Sequence, residues 1–155
     1  MKTNQKVQHL LVILIVIALA VSLASCKPAQ PTDPIAVMQV SNERLNAGDV
    51  DGLMKFFAED AIMSDPHTGR TVGSQAIREA FQGVVKEGVR FELSDLSADG
   101  NVVTYTCYVY MGNEKIDTVK GLDVIVDGLI IFEGTEETLR SECERDPSQA
   151  FCPAK

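Results

Sequence analysis

The sequence predicts an α+β domain, a curved antiparallel sheet with helices covering one face. Between Pro34 and Gly88 the apolar residues recur at helical spacing, and from Val89 onward the period falls from about 3.6 residues to 2. No unit of roughly 20–50 residues repeats, which excludes a solenoid. The chain that follows an N-terminal leader is long enough for one hydrophobic core and too short for two.

The leader comes first. Residues 1–25 carry Lys2 and Lys6, an unbroken apolar run from Leu10 to Val21 and then small residues, the layout of a secretory signal. That run is shorter than the ~20 residues of a membrane-spanning helix. Leu23–Cys26, L-A-S-C, directly follows it and resembles the lipobox of bacterial lipoproteins. The resemblance implies cleavage before Cys26, which becomes the diacylated first residue; the alternative is an ordinary secretory cleavage site with a free Cys26. Two acyl chains hold a protein stably on a bilayer. The expected location is therefore extracytoplasmic, lipid-anchored to the cell membrane or to an outer membrane where the organism has one.

Without Lys2 and Lys6, 12 basic residues face 22 acids, a formal charge of -10. Such a surface repels phosphate backbones, so nucleic acid is excluded as a partner and the lipid is left as the anchor. Residues 26–33, rich in proline and polar side chains, form the lipidated cysteine and a tether.

The domain proper is expected over residues 34–135. Asp33 caps a first helix and Pro34 suits its first position, with Ile35, Met38 and Leu45 on one side and Gly48 as the stop. Asp49 or Asp51 caps a second, shorter helix carrying Leu53, Phe56 and Phe57. A short strand ends at Asp65–Pro66. Ser74 caps a third helix with Ile77, Phe81, Val84 and Val85 as its apolar stripe and Gly88 as its end. Four strands follow, joined through Asp99–Asn101, Gly112–Glu114 and Asp127–Gly128. Residues 136–155 read as a polar tail flanked by Cys143 and Cys152, which an oxidising compartment permits to pair. Cys107 lies mid-strand as a buried, inert thiol.

The order of Leu45–Asp49 (L-N-A-G-D), Phe57–Ala61 (F-A-E-D-A), Asp65–Pro66 and Gly73–Arg78 (G-S-Q-A-I-R) resembles the nuclear transport factor 2-like superfamily, in particular SnoaL-like domains and ketosteroid isomerase. The resemblance implies a cone whose mouth lies between the helices and the concave sheet. It also implies that Asp65 points into the cone, where the matching aspartate of the isomerases is a general base. A carboxylate in apolar surroundings suits that task, because desolvation raises its pKa. In those isomerases a tyrosine of the first helix and a protonated aspartate of a late strand hold the developing oxyanion. Ser41 takes the tyrosine's place here, and Asp123 matches the late aspartate, subject to a one-residue register slip that would turn it to the other face.

Asp65 and Asp123 are thus the candidate catalytic residues, and Ser41, Phe57, His67 and Tyr108 the candidate pocket residues. Asp65 before Pro66 is equally a turn former. Tyr108 and Tyr110 alternate with Tyr105, so one of the two faces lines the cavity or a dimer contact. His67 is the sole histidine after Cys26, which leaves no multi-histidine metal site. No C-x-x-C, phosphate-cradling glycine loop or carboxylate–histidine metal spacing occurs, so no cofactor and no metal are expected. The expected function is binding of a small, largely apolar molecule or an accessory role at the envelope. The alternatives are an isomerase, cyclase or dehydratase working through Asp65, and an interaction module whose sheet pairs with a second copy or another protein.

Overall fold

The computed structural model describes residues 30–65 and 69–152. The leader, Cys26 and His67 lie outside the described residues. Among the described residues no helix is long and apolar enough to cross a membrane.

Helix α1, Pro34–Asn46, starts where Asp33 Oδ1 accepts the Ala36 N–H at 2.8 Å, with Pro34 in the first turn. It buries Val37, Met38, Ser41 and Leu45. Asp49 caps the four-residue α2, Val50–Leu53, by accepting the Gly52 N–H at 2.8 Å. A 3-10 turn, Met54–Phe56, follows. Phe57 then opens strand β1, Phe57–Asp65, so it belongs to the sheet and not to the second helix as the spacing suggested. Strand β2, Gly69–Val72, pairs back on β1. Helix α3, Ser74–Lys86, is capped at Gly73; Ser74 is its first residue and makes no side-chain cap, contrary to the expected role. Its Ile77 and Phe81 are buried.

Strands β3 (Val89–Asp99), β4 (Val102–Met111), β5 (Glu114–Val126) and β6 (Leu129–Gly134) complete a six-stranded sheet in the order β2-β1-β6-β5-β4-β3. The sheet is mixed: β1 and β6 run parallel, whereas the other pairs are antiparallel. A parallel pair needs a long crossover, and nearly the whole domain supplies it here. Register shifts interrupt β1/β6, β3/β4, β4/β5 and β5/β6. Each adds local twist and bends its strand, which curves the sheet around the helices.

The concave face and helices α1–α3 share the main core, with Val37, Ile77, Val103, Ile125 and Ile130 almost wholly buried. The Asn46 side chain ties α1 to the edge strand. Its Nδ2 donates to the Phe91 carbonyl at 2.7 Å and its Oδ1 accepts the Phe91 N–H at 2.9 Å.

The polar tail is more ordered than its composition suggests. Thr135 caps helix α4, Glu136–Arg145, in a reciprocal capping box with Thr138. Leu139 of α4 and Phe151 beyond it cover a second cluster, Ile62, Leu122, Val124 and Phe132, on the convex face. The rings of Phe132 and Phe151 lie 5.0 Å apart. Cys143 and Cys152 are joined by a disulfide. Glu142, 3% exposed, accepts Arg70 Nε at 2.9 Å on both oxygens and Arg145 at 2.7 Å, which fastens α4 to the edge strand β2. A carboxylate buried to that degree is tolerated because two guanidinium groups pair it.

Candidate functional site

A cavity of about 740 Å³ lies between the helices and the concave sheet. Its walls are mainly apolar: Met38, Leu45, Leu53, Phe57, Phe81 and Phe91 among others. The rings of Phe57 and Phe81 meet at 5.6 Å.

Polar groups enter it from the strands. On β5, Asp117, Val119, Gly121 and Asp123 all line the cavity, so a single parity holds across the stretch whose alternation in composition is mixed. Asp123 is 1% exposed. Asp65, at the end of β1, lines the same cavity. Ser41 also lines it; its hydroxyl donates to the Met38 carbonyl at 3.0 Å. The first-helix position therefore carries a hydroxyl already committed to its own helix.

Two further residues complete the polar wall, and neither was among the sequence candidates. Tyr105 of β4 donates its hydroxyl to Asp123 Oδ1 at 2.9 Å. Tyr108 was the expected tyrosine, but it faces the other side of the sheet, where Lys115 Nζ sits 5.0 Å from its ring centre. The cavity parity on β4 is that of Tyr105, Cys107 and Val109. Tyr105 lies flat because its partner across the ladder is Gly121. A β-carbon there would come within 2.6 Å of the tyrosine hydroxyl and closer still to ring carbons.

The second is Glu133. A two-residue turn at Asp127–Gly128, both at positive φ, pairs Val126 with Leu129 and Ile125 with Ile130. Continued without interruption, that register sets Phe132 opposite Asp123. A bulge instead absorbs Ile131, so Val124 pairs with Phe132 and Asp123 with Glu133. Phe132 goes to the convex core, and Glu133 to the cavity beside Asp123. The turn was visible in the sequence; the bulge carries no composition signal.

Residues 39–136 match the sequence model of the SnoaL-like domain. The chain belongs to the SnoaL-like family. Solved structures agree on the fold. An NTF2-like protein of unknown function from Cytophaga hutchinsonii superposes with a TM-score of 0.59 at 18% identity, over 70% of this chain and 91% of that one. A Kribbella flavida protein designated a ketosteroid isomerase gives 0.55 at 22% identity, over 64% and 73%. IdmH from Streptomyces antibioticus, designated a polyketide cyclase, gives 0.56 at 18% identity, over 66% and 89%. At these identities the likeness concerns fold.

The electrostatics of this SnoaL-like domain follow from like charges crowded into an apolar space. Burial, then the neighbouring Glu133, raises the Asp123 pKa well above the carboxylate range, and the Tyr105 hydrogen bond only partly opposes this. Burial and Asp65 push Glu133 up to about 7. Tyr105 is raised by burial and by Asp123, so it stays a protonated donor. Cys107, which lines the cavity and is not bridged, is pushed up to about 11 by burial and the acids around it. It is a neutral thiol and no nucleophile at ordinary pH. Asp123, shifted towards its protonated form, and Glu133, pushed up to about 7, can together give and take a proton beside a bound ligand.

Proposed function

We propose that this SnoaL-like domain binds a small, largely apolar molecule, with the ligand's polar group set against Asp65, Asp123 and Glu133. The observation that carries the reading is the directly paired Asp123 and Glu133 inside a mainly apolar cavity. Acids with strongly shifted pKa values cluster at functional sites, and apolar cavities with few convergent polar groups are the usual form of a small-molecule site. The neutral dye Nile red should bind with enhanced fluorescence. Asp65→Asn, which keeps size and turn-forming ability, should shift its affinity by about threefold or more without changing the melting temperature. If the dye does not bind, or the variant binds it unchanged, Asp65 returns to the role of a turn former.

A second reading, proton transfer next to a carbonyl, is favoured by the upward shift of Glu133 to about 7. In it Asp65 is the base and the Asp123–Tyr105 pair faces the oxygen. Deuterium exchange into a cyclic ketone by the native protein, lost in the same Asp65→Asn variant, is its test.

The domain acts at a membrane surface in this reading. L-A-S-C after the apolar run supports a lipid anchor on Cys26, and the Cys143–Cys152 bridge supports an oxidising compartment. Labelled fatty acid should incorporate into the native chain and not into Cys26→Ser, with the variant soluble or unprocessed. Absence of label from the native chain removes the anchor.

A further inference from the structure

The apolar wall of the cavity does not stop at its mouth. Asp123, 1% exposed, marks the deep end, whereas Asp117, earlier on β5 and about 20 Å away at the rise of a strand, lines the same cavity and is exposed. Gly83 and Glu87, at the end of α3, are exposed lining residues as well, so the cavity meets solvent there.

Phe91 of β3 and Val109 of β4 are ladder partners that line the cavity near this end. The next pair on the same face, towards the strand ends, is Val89 and Met111. Met111 is 49% exposed. Across the hairpin Val109 pairs with Asp117 and Tyr110 with Lys115, so a bulge inserts Ile116 beside Val109, and Ile116 is 50% exposed. Among the described residues large apolar side chains are exposed at Val72, Met111 and Ile116. Val72 stands alone on the edge strand β2, and a single exposed apolar residue needs no explanation. Met111 and Ile116 instead lie together at the end of the β4–β5 hairpin and continue a cavity wall.

We propose that the natural ligand is a single-chain amphiphile longer than the cavity, with its polar head at Asp123 and Glu133 and its apolar tail leaving through the mouth over Val89, Met111 and Ile116. The inference rests on reading the cavity as a ligand site and adds the ligand's length and orientation.

The direction follows from solvation. With the head outside, the tail would lie against the deeply placed pair Asp123 and Glu133 and leave those polar groups without partners from the ligand, which is costly. The acids of the mouth, Asp117 and Glu87, are exposed and keep water whichever way the ligand lies. The length follows from the rim. A compact ligand would fill the interior and leave Met111 and Ile116 in water, where they contribute nothing to binding. A tail that passes over them removes apolar surface from water on both partners.

Calorimetry on the full-length chain in a non-ionic detergent tests this with 1-octanol and 1-hexadecanol, on the native protein and on the double variant Met111→Ser/Ile116→Ser. Each result is read as the ratio of native to variant affinity for one alcohol, so partition of that alcohol into detergent cancels. Both substitutions fall at exposed positions and should leave the melting temperature unchanged. The ratio should be about tenfold for hexadecanol and below about twofold for octanol. Val72→Ser should give a ratio near one for both. A hexadecanol analogue with a diazirine at the chain end should label residues 109–117 on irradiation. Equal ratios for the two alcohols overturn the tail path and leave the cavity a site for compact ligands, and label at the deep end, near Asp123, overturns the orientation. Altered self-association of the double variant with both affinities kept makes the rim a protein contact and overturns the proposal as well. Failure of both alcohols to bind the native protein overturns the cavity reading beneath it.

Discussion

Gly121→Ala should destabilise the domain by about 2–3 kcal/mol, near the upper end of what one added methyl does in a packed interior. The reason is local. Tyr105 is the ladder partner of Gly121, and its ring occupies the space a β-carbon would need. The alanine must push that ring off its path to Asp123, so the 2.9 Å hydrogen bond to the buried carboxyl is lost together with the packing. Two comparisons separate the causes. Tyr105→Phe removes only the hydroxyl and should cost about 1–2 kcal/mol. In a Tyr105→Ala background the clash has no partner, so Gly121→Ala should then cost less than about 1 kcal/mol. Denaturant unfolding of the four proteins measures the coupling. Additive costs would mean that Gly121 serves the strand for some reason other than room for Tyr105.

Glu133→Gln should stabilise the protein at neutral and alkaline pH and do little in acid. The folded pKa of about 7 lies above the ordinary 4.5, so the folded state holds its proton more tightly than the unfolded chain. Stability contributed by this group is complete below pH 4.5 and falls as pH rises towards 7, after which the loss is constant. The full penalty is at most about 3 kcal/mol, reduced by whatever water enters the cavity. The difference in unfolding free energy between native and Gln proteins should thus grow by about 2–3 kcal/mol from pH 5 to pH 8. The comparison is made as that difference, so that the groups common to both proteins cancel. A difference that stays flat across this range would mean Glu133 is solvated like a surface acid.

Much of the architecture was legible because it depends on neighbours in sequence. Asp33, Pro34 and Asp49 act within their own helix turns, and Asp127–Gly128 forms its hairpin whatever lies further along the chain. Helix α4 has local signals as well. Thr135, the acids at 136 and 137 and Arg145 in the last turn are helix-end signals, but the segment's polarity spoke for a tail. Its apolar contacts are few, and Leu139 and Phe151 gain meaning only against Phe132.

The site divides along the same line. By itself the sequence determined that a carboxylate ends β1 at Asp65, that Asp123 lies on a late strand, and that Tyr105 opposes Tyr108 in face, since alternation along one strand is a property of the backbone. Only the tertiary structure decided which face is concave, and so that Tyr105 and not Tyr108 enters the cavity. It alone brought Glu133 opposite Asp123, through a bulge at Ile131 that sends Phe132 to the convex core. A bulge is chosen by which register buries the most apolar surface on both faces of the sheet at once, with α4 on one side and α1–α3 on the other. That balance involves residues far apart in the chain, and no single stretch of sequence contains it.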